Sequence, residues 1–529
     1  MRLLPLVLLV ACATPSASDE PQPGETGSVD ADGDGVPSSD DCDDENAAVF
    51  PGNVETPRND VDDDCDPATC HGVGFPTTPT DFTLPGEYGA DDAAPFDQLA
   101  SYASCTDGTP AHLVADVSGD GRLDLLVSFV CGDDEATGDT RWLVHAGAEG
   151  GFVAAATDWT LPNEYGADGA APFANATAAV VCGDGIPAHF FTDLTGDGLP
   201  DLVITQLCDD DATGRTQWLV HAGTPTGFAD TATTWALPAG YGVDGYLPFS
   251  ASAASAACAK GIPGHTLTDL TGDGAPDLVV TQSCTDTTVG DTAWAVYPGT
   301  GAGFATTATA WSLPSAYVAS GKVPFSSTSA TASCGEGIPG HDLQDLDGDA
   351  LPDLVVTESC ADDATVGDTR WLVYRGQSGG FADAAADWAL PASYGAAETT
   401  PFSSVTDVAA VDDDTPAHTL YDLDGDGVLD LLIEGVPSQS TVGSAVWSVH
   451  FGGASGFTDA AWDWTLPPLT ANGAFTTPRT TADCGAGTPA WALTDLDGDT
   501  LPELVLTDEC TDTTVGDTRW TTYEAGCAQ

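Results

Sequence analysis

Residues 193–205 read Asp-Leu-Thr-Gly-Asp-Gly-Leu-Pro-Asp-Leu-Val-Ile-Thr, an acidic loop followed at once by a short run rich in β-branched residues. The core of this loop, Asp-[Leu/Val]-x-Gly-Asp, occurs six times, and its first residues lie 73 to 77 positions apart. These first residues are Asp116, Asp193, Asp269, Asp345, Asp422 and Asp495. Self-similarity at a fixed period is typical of repeat architectures. The chain is therefore predicted to contain six similar units.

A longer pattern surrounds each acidic loop. A Cys usually precedes the loop, and a Leu-Val run, a second Cys, a Trp strand, Gly-Phe and Trp-x-Leu-Pro follow it. The Trp strands begin at Trp142, Trp218, Trp294, Trp371, Trp447 and Trp520. The apolar runs are short, are bounded by turn residues and show almost no helical periodicity, which predicts strands. About four short antiparallel strands per repeat are typical of a β-propeller.

The two ends of the repeat region predict how it closes. The sixth unit stops after its Trp strand and lacks its own Gly-Phe and Trp-x-Leu-Pro elements, whereas an extra copy, Asp-Phe-Thr-Leu-Pro, stands ahead of the first unit at 81–85. Pairing this copy with the last unit would remove an exposed sheet edge. We therefore predict an all-β fold over residues 71–529, a six-bladed β-propeller closed by the N-terminal strand. The alternative is an open array of six β modules.

The cysteines predict disulfides in the same register. Five pairs are each 26 positions apart and bracket an acidic loop: Cys105–Cys131, Cys182–Cys208, Cys258–Cys284, Cys334–Cys360 and Cys484–Cys510. Antiparallel strands joined at the loop would bring each pair within bridging distance. The fifth unit has Val411 and Pro437 at these positions, so both partners are lost together. The remaining cysteines are paired as Cys42–Cys65 and Cys70–Cys527, and the second bond depends on closure of the ring.

The acidic loops offer oxygen ligands at positions 1, 3, 5 and 9, usually with Gly at position 6. Ca²⁺ takes six to eight oxygen ligands and suits this spacing better than Mg²⁺ or softer metals do. The predicted ligands are Asp116, Ser118, Asp120 and Asp124; Asp193, Thr195, Asp197 and Asp201; Asp269, Thr271, Asp273 and Asp277; Asp345, Asp347, Asp349 and Asp353; Asp422, Asp424, Asp426 and Asp430; and Asp495, Asp497, Asp499 and Glu503. Ala350 and Thr500 replace the Gly in loops four and six, which leaves binding there open. The alternative for any one loop is a solvated acidic turn.

These loops, repeated with Gly-Phe strands, resemble the FG-GAP/VCBS repeats that build integrin α-subunit propellers and many bacterial exported proteins. The resemblance covers roughly residues 75–525 and departs from that family in the long repeat, the regular disulfides and the two loops without Gly. It implies about six calcium ions with a structural role, each locking a hairpin away from the ligand face.

The N-terminal segment predicts export. Residues 1–11 carry one positive charge and a short apolar stretch, and Leu9-Val10-Ala11-Cys12 resembles the bacterial lipobox, in which the Cys is lipidated. An ordinary secretory signal is the alternative. Residues 12–28 are then the lipidated Cys and a flexible tether. Ala13 after the lipid site favours anchoring to the outer membrane, on its periplasmic or surface-exposed side.

Residues 29–67 are predicted to form a separate acidic calcium-binding module. Its candidate ligands are Asp30, Asp32, Asp34 and Asp41. The segment resembles a short calcium-binding motif of bacterial surface lipoproteins and is similar to thrombospondin type 3 repeats. Because it has few apolar residues, metal and the Cys42–Cys65 bond would have to stabilise this small module.

The charge balance restricts the partners. The 529 residues contain 82 Asp+Glu and 11 Lys+Arg, a formal charge of −71. Nucleic-acid binding needs clustered Lys and Arg, so nucleic acid is excluded, and contact with the membrane is expected only through the lipid anchor. No catalytic motif is found among the repeats, so we predict a non-enzymatic adhesion or ligand-binding protein whose partner is a surface protein or a glycan. The alternatives are a polysaccharide lyase or hydrolase, or a structural coat component.

Two repeated sets of residues could belong to a ligand face or to the packing of the fold. The connections between units carry Tyr88/Phe96, Tyr165/Phe173, Tyr241/Phe249, Tyr317/Phe325 and Tyr394/Phe402. A His stands four positions before the acidic loop at His112, His189, His265, His341 and His418, and Trp491 takes the sixth place. Packing is favoured over function for both sets.

Overall fold

The computed structural model describes residues 74–525 apart from short gaps (89–93, 107, 133, 167–169, 244, 318–321, 362, 395–399, 409–414, 469–474, 478 and 484–487), and residues 32, 36, 41–43, 46–47 and 49–51. The chain divides into two compact parts, Met1–His71 and Gly72–Gln529. Within the described residues, no helix is long and apolar enough to cross a membrane.

The larger part is all-β and contains six repeats, each built around one acidic loop. The first strand of each repeat leads into the loop: β3 (Ala111–Ala115), β9 (Ala188–Thr192), β15 (Gly264–Thr268), β19 (Gly340–Gln344), β25 (Ala417–Tyr421) and β30 (Ala490–Thr494). The second strand leaves it: β4 (Asp124–Phe129), β10 (Asp201–Gln206), β16 (Asp277–Gln282), β20 (Asp353–Glu358), β26 (Asp430–Gly435) and β31 (Glu503–Asp508). The third strand carries the Trp: β5 (Arg141–His145), β11 (Gln217–His221), β17 (Ala293–Tyr297), β21 (Arg370–Tyr374), β27 (Val446–His450) and β32 (Arg519–Glu524).

The fourth strand holds the Trp-x-Leu-Pro element or its counterpart. In repeats 1 to 5 it is β8 (Thr157–Thr160), β14 (Thr233–Ala236), β18 (Thr309–Ser312), β24 (Ala386–Ala389) and β28 (Trp462–Thr465). In repeat 6 the antiparallel partner of β32 is β1 (Thr80–Thr83), with Phe82 opposite Trp520. The N-terminal strand therefore completes the last repeat, as the sequence predicts.

Eight two-residue strands complete the inventory: β2 (Ala100–Ser101), β6 (Gly147–Ala148), β7 (Gly151–Phe152), β12 (Gly223–Thr224), β13 (Gly227–Phe228), β22 (Gly376–Gln377), β23 (Gly380–Phe381) and β29 (Arg479–Thr480). Two 3₁₀ turns lie at Cys258–Lys260 and Ser315–Tyr317. In the strand order of the sheets, the four strands of repeats 2, 4 and 5 form separate sheets, and those of repeats 1, 3 and 6 belong to sheets of six or seven strands.

Burial follows the position of a strand within its repeat. The second strands are buried at their first five positions, which explains their continuous Leu, Val and Ile runs. In most fourth strands one residue of four is buried, and it is the Trp or Phe82. The hydrophobic core lies between neighbouring repeats: one cluster, for example, joins Trp218 of repeat 2 to Leu278 of repeat 3.

Two contacts recur between each repeat and the next. The buried indole N–H of each third-strand Trp donates to a Phe carbonyl oxygen 2.7 Å away in the following connection. The acceptors are Phe173, Phe249, Phe325, Phe402, Phe475 and, for Trp520, Phe96. Each of these Trp rings also packs edge-to-face on a Gly-Phe ring of the next repeat, and Trp520 packs in this way on Phe152. Repeat 6 thus contacts repeat 1 as the other neighbours contact each other.

The N-terminal segment also supplies a second element to repeat 6. Gly74 forms a parallel bridge with Thr465 of repeat 5, and Phe75 packs edge-to-face on Trp447 at 5.7 Å. Gly456 and Phe457 make the equivalent contacts with repeat 4. Gly74-Phe75 is therefore the missing Gly-Phe element of repeat 6, which the sequence analysis did not identify.

Four of the predicted disulfides are present, with Cα–Cα distances of 5.0 to 5.3 Å: Cys105–Cys131, Cys182–Cys208, Cys258–Cys284 and Cys334–Cys360. Cys510 and Cys42 are also disulfide-bonded. Their predicted partners, Cys484 and Cys65, lie outside the described residues, as do Cys70, Cys527 and Cys12.

Candidate metal centres and binding groove

The first carboxylate of each acidic loop organises the backbone around it. In loop two, Asp193 Oδ1 accepts from the Gly196 N–H at 2.7 Å, and its Oδ2 accepts from the Gly198 N–H at 2.8 Å. In the other five loops, the first carboxylate likewise accepts from the N–H of the sixth residue. The carboxylate at position five accepts from the N–H at position seven, as Asp197 does from Leu199. The loop is thus held in a tight turn that brings the side chains at positions 1, 3 and 5 together.

The last carboxylate of the loop ties it to the third strand. Asp201 Oδ2 accepts from the Leu194 and Thr195 N–H groups, and its Oδ1 accepts from the Gly223 N–H at 2.8 Å. Asp124 and Asp277 make the same set of bonds. Each carboxylate oxygen has two lone pairs, so these bonds leave acceptor capacity for a cation.

Loops four and six keep the shared backbone conformation without glycine. Ala350 has φ 66° and Thr500 has φ 78°, close to φ 84° at Gly198 in the same loop position. A side chain in this left-handed region costs about 1–2 kcal/mol. Loss of Gly has therefore strained these two loops without changing their turn.

Carboxylate oxygens approach one another most closely in the last three loops. Their ligand atoms fall within 4.8 Å of one another in three groups: Asp345, Asp347 and Asp349; Asp422, Asp424 and Asp430; and Asp495, Asp497, Asp499 and Glu503. Ser118, Thr195 and Thr271 occupy position three in loops one to three, which reduces the charge there. Like charges at this separation repel, and a divalent cation would remove that repulsion.

Buried oxygen atoms also fit a cation. Ser118 Oγ, Asp422 Oδ1 and Asp497 Oδ1 are buried and accept no hydrogen bond within the described part of the chain. Burial, followed by the neighbouring Asp497 and Asp495 carboxylates, raises the pKa of Glu503 to about 8. Burial likewise raises the pKa of Asp422. Hard oxygen donors with unused lone pairs are the donor set that Ca²⁺ prefers.

The smaller N-terminal part is described at few positions. Asp41 Oδ2 is buried without a hydrogen-bond partner, and Asp41 Oδ1 accepts from the Asp43 N–H at 3.0 Å. Asp32 is described, whereas Asp30 and Asp34 lie outside the described residues. The calcium site of this module stays a prediction.

The repeated His residues are buried packing groups. In His189, Nδ1 lies 3.1 Å from the Pro187 carbonyl oxygen and Nε2 lies 2.9 Å from that of Asn175. The four other members of the series make the same pair of contacts, and burial lowers the pKa of all five. Each ring therefore holds a connection against the first strand.

The Tyr and Phe residues of the connections also pack the fold. Phe173 is fully buried, and its ring meets Tyr165 edge-to-face at 5.7 Å. The Tyr165 hydroxyl lies 2.8 Å from Nε2 of the buried His221 in the third strand. The pairs Tyr88–His145 and Tyr394–His450 repeat this contact. These aromatic rings are therefore not available as a ligand face.

A groove runs along the ends of the hairpins opposite the acidic loops. Three cavities of about 570, 500 and 780 Å³ follow one another across repeats 6, 1 and 2. The first two share Gln98 and Ala100, and the second and third share Tyr102 and Asn175. We call this continuous set of cavities the groove.

The lining of the groove is more apolar than polar and almost uncharged, and it includes one exposed aromatic ring. Tyr102 is 73% exposed and lies where the second and third cavities meet. Gln98, Asn175 and Gln206 are among the residues that line the groove, and Arg479 lines its end in repeat 6. Sequence analysis missed Tyr102 because it searched for residues that recur, and repeat 2 has Ala179 at this position.

No protein-family model matches the sequence, and no curated protein matches it. The solved structures similar to this chain include the Photorhabdus luminescens Tc holotoxin pore, with 15% identity and a TM-score of 0.42 over 84% of this chain and 15% of that chain. An Agrocybe aegerita lectin that recognises non-reducing terminal N-acetylglucosamine has 15% identity and a TM-score of 0.36, covering 76% of this chain and 75% of that chain. The rhamnogalacturonan lyase YesW has 12% identity and a TM-score of 0.32, covering 85% and 76%.

This chain spans about 15% of the length of the toxin chain. At these identities and TM-scores, the likenesses carry no argument about function. Membership of the FG-GAP/VCBS repeats therefore stays a resemblance.

Proposed function

We propose that the six repeats form a closed six-bladed β-propeller that binds calcium in its acidic loops and a neutral glycan in the groove. The observation that carries the glycan assignment is the exposed Tyr102 between two cavities whose lining includes Gln98, Asn175 and Gln206. Closure is supported by the β1–β32 pairing and by the Trp520 contacts with Phe96 and Phe152.

Calcium has a structural role in this proposal. The loops lie at the hairpin ends away from the groove, so the ions do not contact the ligand. Positions 1, 3, 5 and 9 supply the oxygen ligands, and each ion offsets the repulsion among the carboxylates of one loop. The same role is proposed for calcium in the N-terminal module.

The chemistry of the groove favours a glycan over a surface protein. An exposed Tyr presents an apolar ring face for the C–H face of a sugar, and side-chain amides both donate and accept hydrogen bonds to hydroxyl groups. Three cavities in a row fit successive sugar residues, because cavities of 300–1,000 Å³ are typical of small-molecule sites. The charge of −71 disfavours polyanionic glycans.

The protein is proposed to be exported and anchored to the outer membrane through Cys12. The disulfides support export, since such bonds persist in oxidising compartments. The proposal is a binding protein without catalytic activity. Mass spectrometry of the mature N-terminus tests the anchor, because an unmodified chain that retains residues 1–11 would contradict it.

The binding proposal is tested on a glycan array, followed by titration calorimetry on the best neutral oligosaccharide. Tyr102→Ala is expected to weaken binding about three- to tenfold, as loss of one aromatic contact predicts. Tyr246→Ala is the matched control, because Tyr246 is exposed but does not line the groove. Absence of glycan binding with calcium present, or capture of a surface protein at the groove instead, would overturn the assignment. Measured turnover of a polysaccharide would favour the enzyme alternative.

A further inference from the structure

The residue after the third strand differs in character among the six repeats. Repeats 1, 2, 3 and 5 have uncharged residues there: Ala146, Ala222, Pro298 and Phe451. Repeat 4 has Arg375, whereas repeat 6 has Glu524, the last residue of β32. This position adjoins the Gly whose N–H binds the last carboxylate of the loop in repeats 1 to 5, so it lies beside the candidate metal centre.

The Arg375 guanidinium lies within acidic loop four. Its Nη1 forms ion pairs with Asp347 and with Asp353, the second at 3.2 Å from Asp353 Oδ2. Asp347 and Asp353 are the position-three and position-nine residues of that loop, so the guanidinium binds two of the four predicted calcium ligands.

Further contacts hold Arg375 in this place. Nη2 donates to the Ala454 carbonyl oxygen of repeat 5 at 3.3 Å, and the guanidinium carbon lies 5.3 Å from the centroid of the Trp388 ring. A planar guanidinium with both an ion pair and an aromatic contact is fixed more strongly than an exposed Arg.

We propose that Arg375 is the built-in cation of loop four, so this loop takes no calcium ion. The inference rests on the proposed calcium binding of the other loops. The guanidinium already contacts two of the four carboxylates of loop four, and a divalent ion placed there would be repelled by this positive group. The loop-four residues therefore do not fit a metal while Arg375 is present.

Repeat 6 places a carboxylate where repeat 4 places the guanidinium. Glu524 lies opposite Glu503, the last predicted ligand of loop six, in the pairing of β31 with β32. The identity of this single residue thus determines whether a loop needs an external cation. Glu524→Arg is therefore expected to displace the ion from loop six.

The test counts bound calcium in the full-length mature protein by native mass spectrometry and elemental analysis. Arg375→Met removes the charge but retains an apolar side chain over Trp388, and it is expected to bind one more ion than the wild type. Arg370→Met is the matched control, since Arg370 pairs with Asp363 and Asp387 outside the acidic loop. The control is expected to leave the ion count unchanged.

Glu524→Arg provides the reciprocal test and is expected to lose one ion. If Arg375→Met gains no ion, or Glu524→Arg loses none from a wild type that binds calcium, the inference is overturned. A wild type that binds no calcium contradicts the proposed function instead, so the two failures are distinguishable. If Arg375→Met does not fold, Arg375→Gln replaces it with the same expected gain.

Discussion

Replacing Phe82 by Ala tests whether the N-terminal strand stabilises the sixth repeat. Phe82 is 6% exposed, stacks on Trp520 with a centroid distance of 6.0 Å and meets Phe152 edge-to-face at 5.0 Å. Truncation of a buried Phe costs about 3–5 kcal/mol, because transfer energy and packing are both lost. The larger part contains about 450 residues, which corresponds to an unfolding entropy on the order of 0.9 kcal/mol/K. The substitution is therefore expected to lower the melting temperature by about 3–5 °C.

Calorimetry and urea unfolding in calcium-containing buffer measure the loss. Asp81→Ala is the control in the same strand: it removes an exposed ion pair with Arg519 and is expected to cost less than about 1 kcal/mol. If Phe82→Ala costs no more than Asp81→Ala, residues 80–83 do not stabilise the last repeat. The proposal of a closed ring would then fail.

Three further predictions concern single positions and the metal. Ala350→Gly and Thr500→Gly are each expected to raise the free energy of unfolding by about 0.5–1 kcal/mol. The reason is that relief of the strain at positive φ exceeds the cost of the added entropy of the unfolded chain. A lower free energy of unfolding in urea experiments would contradict this. Burial raises the pKa of Glu434 to about 9, so its carboxyl group is neutral in the folded state and ionised in the unfolded state between about pH 4.5 and 9. The free energy of unfolding therefore falls as pH rises through this window, and Glu434→Thr should flatten the pH profile and add on the order of a few kcal/mol at pH 9; an unchanged profile would contradict the burial argument. Chelation with EGTA should lower the melting temperature, since an ion at 100 times its Kd contributes about 2.7 kcal/mol per site; no shift would contradict structural calcium.

The features that repeat were predictable from the sequence. The acidic loop and the third-strand Trp each occur six times, and the cysteine spacing occurs five times. None of these predictions therefore depends on a single match. The missing tail of the sixth unit predicted that residues 81–85 pair with β32, and this pairing is present. A sheet with an unpaired edge is a hazard, and that physical argument identified the partner.

Other features depend on three-dimensional packing and could not be predicted from the sequence. Gly74-Phe75 is a dipeptide too short to recognise alone, and its role follows only from its bridge to Thr465. The Tyr–His pairs join residues 56 or 57 positions apart, and neither partner suggests the other in the sequence. The acidic loops could be recognised in the sequence, whereas the guanidinium that contacts two carboxylates of loop four could not, because Arg375 follows a strand that otherwise resembles its counterparts.

The residues that break the repeat are the best candidates for individual function. A side chain that recurs in five or six repeats meets equivalent environments, and Trp142 and His189 accordingly contact backbone carbonyl groups of the connections between repeats. Tyr102, Arg375 and Glu434 have no equivalent in the neighbouring repeats, so the shared architecture does not explain them. Each also differs physically from its counterparts: Tyr102 adds an exposed ring, Arg375 a half-buried cation and Glu434 a buried acid. Replacing each by the residue of a neighbouring repeat, as in Tyr102→Ala or Glu434→Thr, therefore separates function from fold, because the new residue already occupies the same position in another repeat.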